Sequence, residues 1–319
     1  MKKYFLGVDT SNYTTSLALV CDGEVVSSVR RLLPVKDGEK GLRQSDAVFH
    51  HTKALPSLSE ELFHGFGISD GELCGIGVSS RPRDAEGSYM PCFLAGYSYA
   101  SGIAHSHNIP MFEFSHQSGH IAAAVYSSGK DFSFFECNPF ISFHISGGTT
   151  EALLTEFCNE TYLCKIVGGT NDASCGQIID RAGVEMGIKF PCGKELDMLS
   201  QKSTKKLPAS VSFKDGYFSM SGLQNKYEKY LADGERKEDV ALFLFGSIAL
   251  AIKKSSIYLR ELYGNLPILY AGGVMSNSVI RKELSALSDV YFASPELSCD
   301  NACGTAILTY KKYISLSSM

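Results

Sequence analysis

Two histidines stand four residues apart in the segment Ser115-His116-Gln117-Ser118-Gly119-His120-Ile121. On a helix, positions i and i+4 are neighbours on one face, so the two imidazoles can chelate one divalent ion. No Glu follows His116, so the HExxH arrangement of a zinc protease, with its built-in general base, is absent. A catalytic ion needs a third protein ligand. The candidates by chemistry are Asp300, in Ser298-Cys299-Asp300-Asn301, and the histidines His50, His51 and His144.

Short polar turns point to a second chemistry. Asp9-Thr10-Ser11-Asn12 and Ser146-Gly147-Gly148-Thr149-Thr150 each follow a predicted strand. Glycines and small hydroxyl residues let backbone N–H groups approach phosphate oxygens, and a carboxylate there can hold a metal or a water. Asp9 and Ser11 are therefore candidate catalytic residues, and Ser146, Gly147 and Gly148 candidate phosphate contacts. A third turn, Ala271-Gly272-Gly273-Val274-Met275-Ser276-Asn277, joins a strand to a helix. Gly272 and Gly273 permit close approach of a flat ligand such as adenine or ribose, and Asn277 offers it an amide. No GxGxxG fingerprint and no GxxxxGK[ST] loop occurs, which disfavours a Rossmann dehydrogenase and a P-loop enzyme.

The elements that must position these turns occur in two similar series. Hydrophobic patterning predicts strands at residues 5–8, 15–20 and 25–31, the last two joined at Asp22-Gly23, then a helix over 47–66 carrying Pro56. A strand at 74–78, a helix over 93–105, a strand at 111–114 and a helix over 117–126 follow. The pattern then begins again with strands at 140–145, 152–155 and 162–167. Helices over 177–186, 194–200, 223–231 and 239–263 come next. A strand at 268–270, a helix over 278–287, a strand at 290–292 and a helix over 301–313 close the chain. Three strands followed by alternating helix and strand, twice over, predict a duplicated α/β architecture, with the two polar turns at equivalent places. Nucleotide is bound this way between the two lobes of actin-like, sugar-kinase and Hsp70-class ATPases.

Composition agrees with an enzyme of this kind. The chain has 319 residues, 44% hydrophobic and 20% charged, which excludes wholesale disorder and leaves room for two domains. The longest greasy segment, residues 240–252, ends at Lys253-Lys254, short of the roughly 18–20 residues of a membrane span. The basic N-terminus reaches Asp9 before an apolar region can form, so no secretion signal is expected. Ten scattered cysteines without a CxxC pair fit buried thiols in a reducing cytoplasm, Cys299 and Cys303 flanking Asp300 being the closest pair. A formal charge of −4 supplies no global field for DNA or RNA. An RNA contact must be local, and the local basic groups are Arg30-Arg31, Arg81 with Arg83, Lys205-Lys206 and Lys253-Lys254.

Several motifs in order carry a resemblance over nearly the whole chain. They are Phe114-Ser115-His116-Gln117-Ser118-Gly119-His120, Ile145-Ser146-Gly147-Gly148-Thr149, Ile179-Asp180-Arg181, Phe218-Ser219-Met220-Ser221-Gly222-Leu223, Ala271-Gly272-Gly273-Val274 and Pro295-Glu296-Leu297-Ser298-Cys299-Asp300-Asn301. Together they resemble the TsaD (YgjD, glycoprotease-like) family. The resemblance implies an ASKHA fold, with a lobe at about 1–135 and a second at 136–319 carrying a helical insertion near 174–235. It places a nucleotide and metal site in the cleft between the lobes. It also implies transfer of threonylcarbamoyl from threonylcarbamoyl-AMP to the adenosine beside the anticodon of tRNA. The older peptidase label fits poorly without a base beside the histidines.

Position by position, the resemblance makes His116, His120 and Asp300 ligands of one divalent ion, iron or zinc. It makes His144, Ile145, Ser146, Gly147 and Gly148 the phosphate and substrate loop, Asp180 and Gly193 ribose contacts, and Asn277 a nucleotide contact, with ATP or threonylcarbamoyl-AMP as the ligand. The implied partners are tRNA, a TsaB-like ASKHA subunit and a TsaE-like ATPase, with no membrane and no DNA. The chain also departs from the family. ETSCDE is here Asp9-Thr10-Ser11-Asn12-Tyr13-Thr14, so two carboxylates are missing. SGGHT has Thr149 in place of histidine, and SGLK ends in Gln224. The GPGL turn is replaced by the longer, polar Arg81-Pro82-Arg83-Asp84-Ala85-Glu86-Gly87-Ser88-Tyr89-Met90. These changes describe a divergent paralogue, with transfer to a different acceptor, a small molecule among them, or a non-catalytic subunit, as alternatives.

Overall fold

A computed structural model describes residues 2–11, 13–34, 42–64, 72–298 and 301–318. Two compact units divide the chain: Met1–Cys137 with Glu156–Cys164 and Cys299–Met319, and Asn138–Thr155 with Lys165–Ser298. Against the expected division at 135/136, Glu156–Cys164 and the C-terminal segment with its helix fall in the first unit.

In the first unit, β1 (Tyr4–Asp9), β2 (Thr14–Cys21) and β3 (Glu24–Leu32) form an antiparallel meander. The β2–β3 turn places Asp22 and Gly23 at φ 50° and 93°, the positive values a two-residue hairpin needs. Then α1 (Gln44–Phe63) leads to β4 (Leu73–Arg81), which lies parallel to β1. After α2 (Phe93–His107), β5 (Met111–Ser115) adds parallel to β4, and α3 (His116–Ser127) and α4 (Phe132–Cys137) follow. The sheet order is β3-β2-β1-β4-β5. Every residue of β2 is buried, as both faces of the sheet are covered. Leu55, Leu58 and Leu62 of α1 and Ala100 and Ala104 of α2 pack with Leu6, Val8, Leu17 and Leu19 on one of them.

The second unit opens with β6 (Phe140–Ile145), β7 (Thr150–Cys158) and β8 (Thr161–Thr170), then α5 (Cys175–Glu185) and α6 (Gly193–Ser200). The hairpin β9 (Ser212–Lys214) and β10 (Tyr217–Ser219), α7 (Ser221–Ala232) and α8 (Lys237–Tyr263) come next. Finally β11 (Ile268–Ala271), a 3-10 turn at Gly273–Ser276, α9 (Ser278–Leu284) and β12 (Val290–Phe292) complete it. Its sheet runs β12-β11-β6-β7-β8-β10-β9. The five strands β8-β7-β6-β11-β12 repeat the order of the first sheet, so the duplicated α/β fold expected from the sequence is present. The helix α8 is long and apolar enough to cross a bilayer. Val240, Phe243, Leu244, Ile248 and Ile252 instead put it in the core of this unit.

The last helix, α10 (Cys303–Ser317), belongs to the first unit. It seats directly on the sheet: a Cβ on Gly7 would lie 2.4 Å from the Ala302 carbonyl, and one on Gly77 1.8 Å from Thr309 Oγ1. It also crosses α3, where a Cβ on Gly304 would fall 1.8 Å from the Gly119 carbonyl. The sequence reading contained neither α4 nor the β9–β10 hairpin. The nine described cysteines are all free, as expected of thiols without a framework.

Candidate metal and nucleotide sites

The first site is built at the ends of β1 and β5. Asp9, the last residue of β1, is 1% exposed, and His116 opens α3 immediately after β5. Asp9 Oδ1 accepts from the Ser11 backbone N–H at 2.9 Å, and Oδ2 lies 2.8 Å from His116 Nδ1. Burial alone would raise the Asp9 pKa. The opposing pull of the His116 imidazolium and the hydrogen bonds from His116, Ser11 and Ser79 prevails, and the value falls to about 2. Asp9 is thus ionised at neutral pH and accepts the Nδ1 proton. With Nδ1–H donated to Asp9, a neutral His116 ring would present the lone pair of Nε2, as a carboxylate partner arranges in metal-binding histidines.

The rings of His116 and His120 lie 4.3 Å apart between centroids, at 77°. The i, i+4 expectation therefore holds, and the donor chemistry of the pair suits the first two ligands of a divalent ion. Among the described residues no group of three His, Cys, Asp or Glu side chains completes such a site. Asp300 lies outside the described residues, as do Asn12 and Cys299. Of the alternative ligands, His51 is a core residue: it is fully buried, its Nδ1 is 2.8 Å from Thr15 Oγ1, and desolvation pushes its pKa down to about 4. Ser11 is 3% exposed and stands against the Asp9 carboxylate, to which its backbone N–H donates.

The second site lies in the second unit. His144 and Ile145 end β6, and the Ser146–Thr149 turn is closed by Ser146 N–H to Thr149 O at 2.8 Å and Thr149 N–H to Ser146 Oγ at 3.1 Å. A Cβ added to Gly147 or Gly148 would meet nothing within 4 Å, so both backbones face open space. Gly272, at φ 99°, could not carry a Cβ, which would fall 2.2 Å from the Ile145 carbonyl. Glycine is required there both by its backbone angle and by the packing of the third turn on the second.

Gly147, Asp180, Gly193, Gly273 and Asn277 all line one cavity of about 490 Å³, as drug-sized and nucleotide-sized pockets usually measure. Asp180 Oδ1 accepts from the Cys192 N–H at 2.8 Å and fixes the entry to α6, with Gly193 at its first position. Asn277 is 7% exposed; its Oδ1 caps α9 by accepting from Ile280 N–H at 3.0 Å, while its Nδ2 has no protein partner. An orphaned donor in a cavity wall is the polar handle expected of a ligand site.

Sequence reasoning missed other members of this wall, notably Phe190, Lys194 and Phe245. It also missed Ser174, whose Oγ donates to the Gly147 carbonyl at 2.6 Å and whose capping box with Gln177 starts α5. The Ser-x-x-Gln spacing ahead of an apolar run was the signal for it. Gln224, where the resemblance expects a lysine, accepts from Arg181 Nη1 at 3.0 Å. A separate cavity of about 470 Å³ in this unit is lined by Leu207, Leu250 and Val279 together with Lys206, Lys253 and Lys282. It gathers one lysine from each of the two basic pairs in this half of the sequence.

A family model described as TsaD, tRNA N6-adenosine threonylcarbamoyltransferase, matches residues 36–307. A tRNA N6-adenosine threonylcarbamoyltransferase of Thermosipho africanus is 29% identical over 325 residues, spanning 97% of this chain and 94% of that protein. One of Enterococcus faecalis is 27% identical over 294 residues, or 89% of this chain and 80% of that protein. Among solved structures, HypF of T. kodakarensis superposes with a TM-score of 0.60 at 11% identity over 99% of this chain, which spans 48% of HypF. A ROK family glucokinase from Streptomyces griseus gives 0.52 at 11% identity over 97% of this chain and 99% of the kinase. These two likenesses speak to the fold alone.

Proposed function

The chain belongs to the TsaD family, and from that membership we propose that it transfers a threonylcarbamoyl group from threonylcarbamoyl-AMP to N6 of the adenosine beside the anticodon of tRNA. In the transfer an N–C bond forms between N6 and the carbamoyl carbon, the C–O bond to the AMP phosphate breaks, and N6 gives up a proton. The observation that carries the reading, beyond the family match, is the cavity with the open Gly147-Gly148 backbone and the orphaned Asn277 amide. Backbone N–H groups at Ser146, Gly147 and Gly148 suit the phosphate, Asp180 and the Gly193 turn suit the ribose, and Asn277 Nδ2 suits an acceptor on the base.

His116 and His120 would hold one divalent ion, iron or zinc, with Asp300 as the third ligand that the family resemblance implies. The ion, when bound, supplies Lewis-acid polarisation of a carbonyl or phosphate oxygen. Asp9 holds the Nδ1 proton of His116. With a pKa near 2 it is a poor proton acceptor at neutral pH, so its contribution is to orient and to place negative charge. Ser11 supports the Asp9 carboxylate through its backbone N–H.

The reaction is cytoplasmic in this reading and uses TsaB-like and TsaE-like partners. The polar 81–90 segment favours a second reading, the same transfer to another acceptor. Nucleoside mass spectrometry of tRNA from cells whose sole TsaD-family protein is this chain separates the two. Threonylcarbamoyladenosine that vanishes with His116→Ala is the expected result; its absence with folded, metal-loaded protein rejects tRNA as the acceptor.

A further inference from the structure

The polar segment at residues 81–90, one of the chain's departures from the family pattern, is tied to the helix that carries both imidazoles. Arg81 ends β4 and pairs in register with Ser115 at the end of β5. The chain then folds back, so that the Pro82 carbonyl accepts from the Gln117 N–H at 3.0 Å. Asp84 returns across the strand ends. Its Oδ2 accepts from Ser115 Oγ at 2.5 Å, and its Oδ1 accepts from Arg81 Nε at 3.1 Å and Nη2 at 2.6 Å. Ser115 is fully buried and is the N-cap of α3, its Oγ accepting from the Ser118 N–H at 3.1 Å.

One hydroxyl therefore stands in a relay. Donation to Asp84 fixes the Ser115 proton and turns a lone pair toward Ser118, which sets the first turn of α3 where His116 stands. A serine cap alone can rotate; a cap whose proton is taken by a carboxylate, itself held in a guanidinium fork, cannot do so freely. The same carboxylate puts negative charge one hydrogen bond from a helix N-terminus, where it opposes the positive end of the helix dipole. The turn Asp9 to Thr14 lacks two carboxylates that the family resemblance leads one to expect, while Asp84 places one on the cap residue that precedes His116.

We propose that Asp84 is a positioning residue for the imidazole pair: clamped by Arg81, it locks the Ser115 cap and with it the direction of His116. The proposal rests on the metal reading above for its consequence, though not for the contacts themselves. Its test uses the full chain and cobalt(II) as the probe, following the visible absorption of the bound ion. In the unaltered protein the absorption should saturate and be abolished by His116→Ala. Asp84→Ala should weaken cobalt binding by about tenfold, the lower end of what loss of an outer-shell partner costs. Asp84→Glu should recover part of that loss, and Asp84→Asn, which keeps an acceptor but not the charge, should fall between.

Amide hydrogen exchange at Ser118 reads the cap without metal, and Asp84→Ala should speed it by about tenfold. Unchanged exchange at Ser118, or unchanged cobalt affinity in Asp84→Ala, would overturn the proposal. Failure of the unaltered protein to bind cobalt through His116 rejects the metal reading instead, and the exchange measurement then decides the hold of Asp84 on α3 by itself.

Discussion

Asn277 serves two roles with one amide: its oxygen caps α9, and its nitrogen is a buried donor without a protein partner on a residue that lines the cavity. Asn277→Asp separates the two. The carboxylate keeps a cap acceptor at a helix N-terminus, where a negative charge is favourable, so the melting temperature should hold. The donor is lost and a charge is set against the nucleotide, so AMP should bind about tenfold more weakly by calorimetry, a hydrogen bond being worth about 0.5–1.5 kcal/mol before any repulsion. Equal affinity would remove Asn277 from the nucleotide contacts. This residue was legible in the sequence because strand, Gly-Gly and helix leave a known gap for a ligand, and the pair His116 and His120 was legible from helical spacing. Asp84 was not. Its role depends on a loop folding back across the β4–β5 register, which no local pattern encodes. His51 also needed the fold, since only packing beside Thr15 marks it as a core histidine kept neutral by burial.

At the scale of elements, two glycines in helices make opposite demands. Gly304 lets α10 touch α3, and a methyl there would meet the Gly119 carbonyl at 1.8 Å. Gly304→Ala should cost about 1–3 kcal/mol by overpacking, read as a lower urea midpoint. Gly246 sits inside α8 with nothing within 4 Å of an added Cβ. There Gly246→Ala should raise the midpoint, by up to about 1 kcal/mol of helix propensity. A Gly304→Ala protein as stable as its parent would show that the crossing relaxes and is not a close contact. Strand and helix order was legible because the buried strands are continuous apolar runs and the helices are long and periodic. The β9 and β10 strands have only three residues each, too few for alternation to show, although Asp215-Gly216 marked their turn. The placement of α10 in the first unit could not be read from chain order. It follows from Gly7, Gly77, Gly119 and Gly304, whose missing side chains matter only once the partners are known.

For the whole molecule the charge is the obstacle to the proposed substrate. A chain of formal charge −4 repels tRNA at long range, so the contact must come from a local cluster strong enough to prevail at short range. Lys206, Lys253 and Lys282 surround one cavity, and among the described residues none of the three is in an ion pair. Glu283 lines the same cavity, but none of the three lysines is held in an ion pair among the described residues, so a phosphate backbone can claim them with release of counterions. Each such contact contributes about 0.7–0.9 to the slope of log affinity against log salt. Lys253→Ala with Lys282→Ala should thus weaken tRNA binding at low salt, lower that slope by roughly 1.4–1.8, and leave AMP affinity unchanged. Both lysines are far down the chain from the nucleotide turn at Ser146 and line a cavity that shares neither Gly147 nor Asn277 with it. A slope identical to that of the parent would move the RNA contact elsewhere on the surface. A slope that drops only when AMP affinity drops with it would instead make this cavity an extension of the nucleotide site.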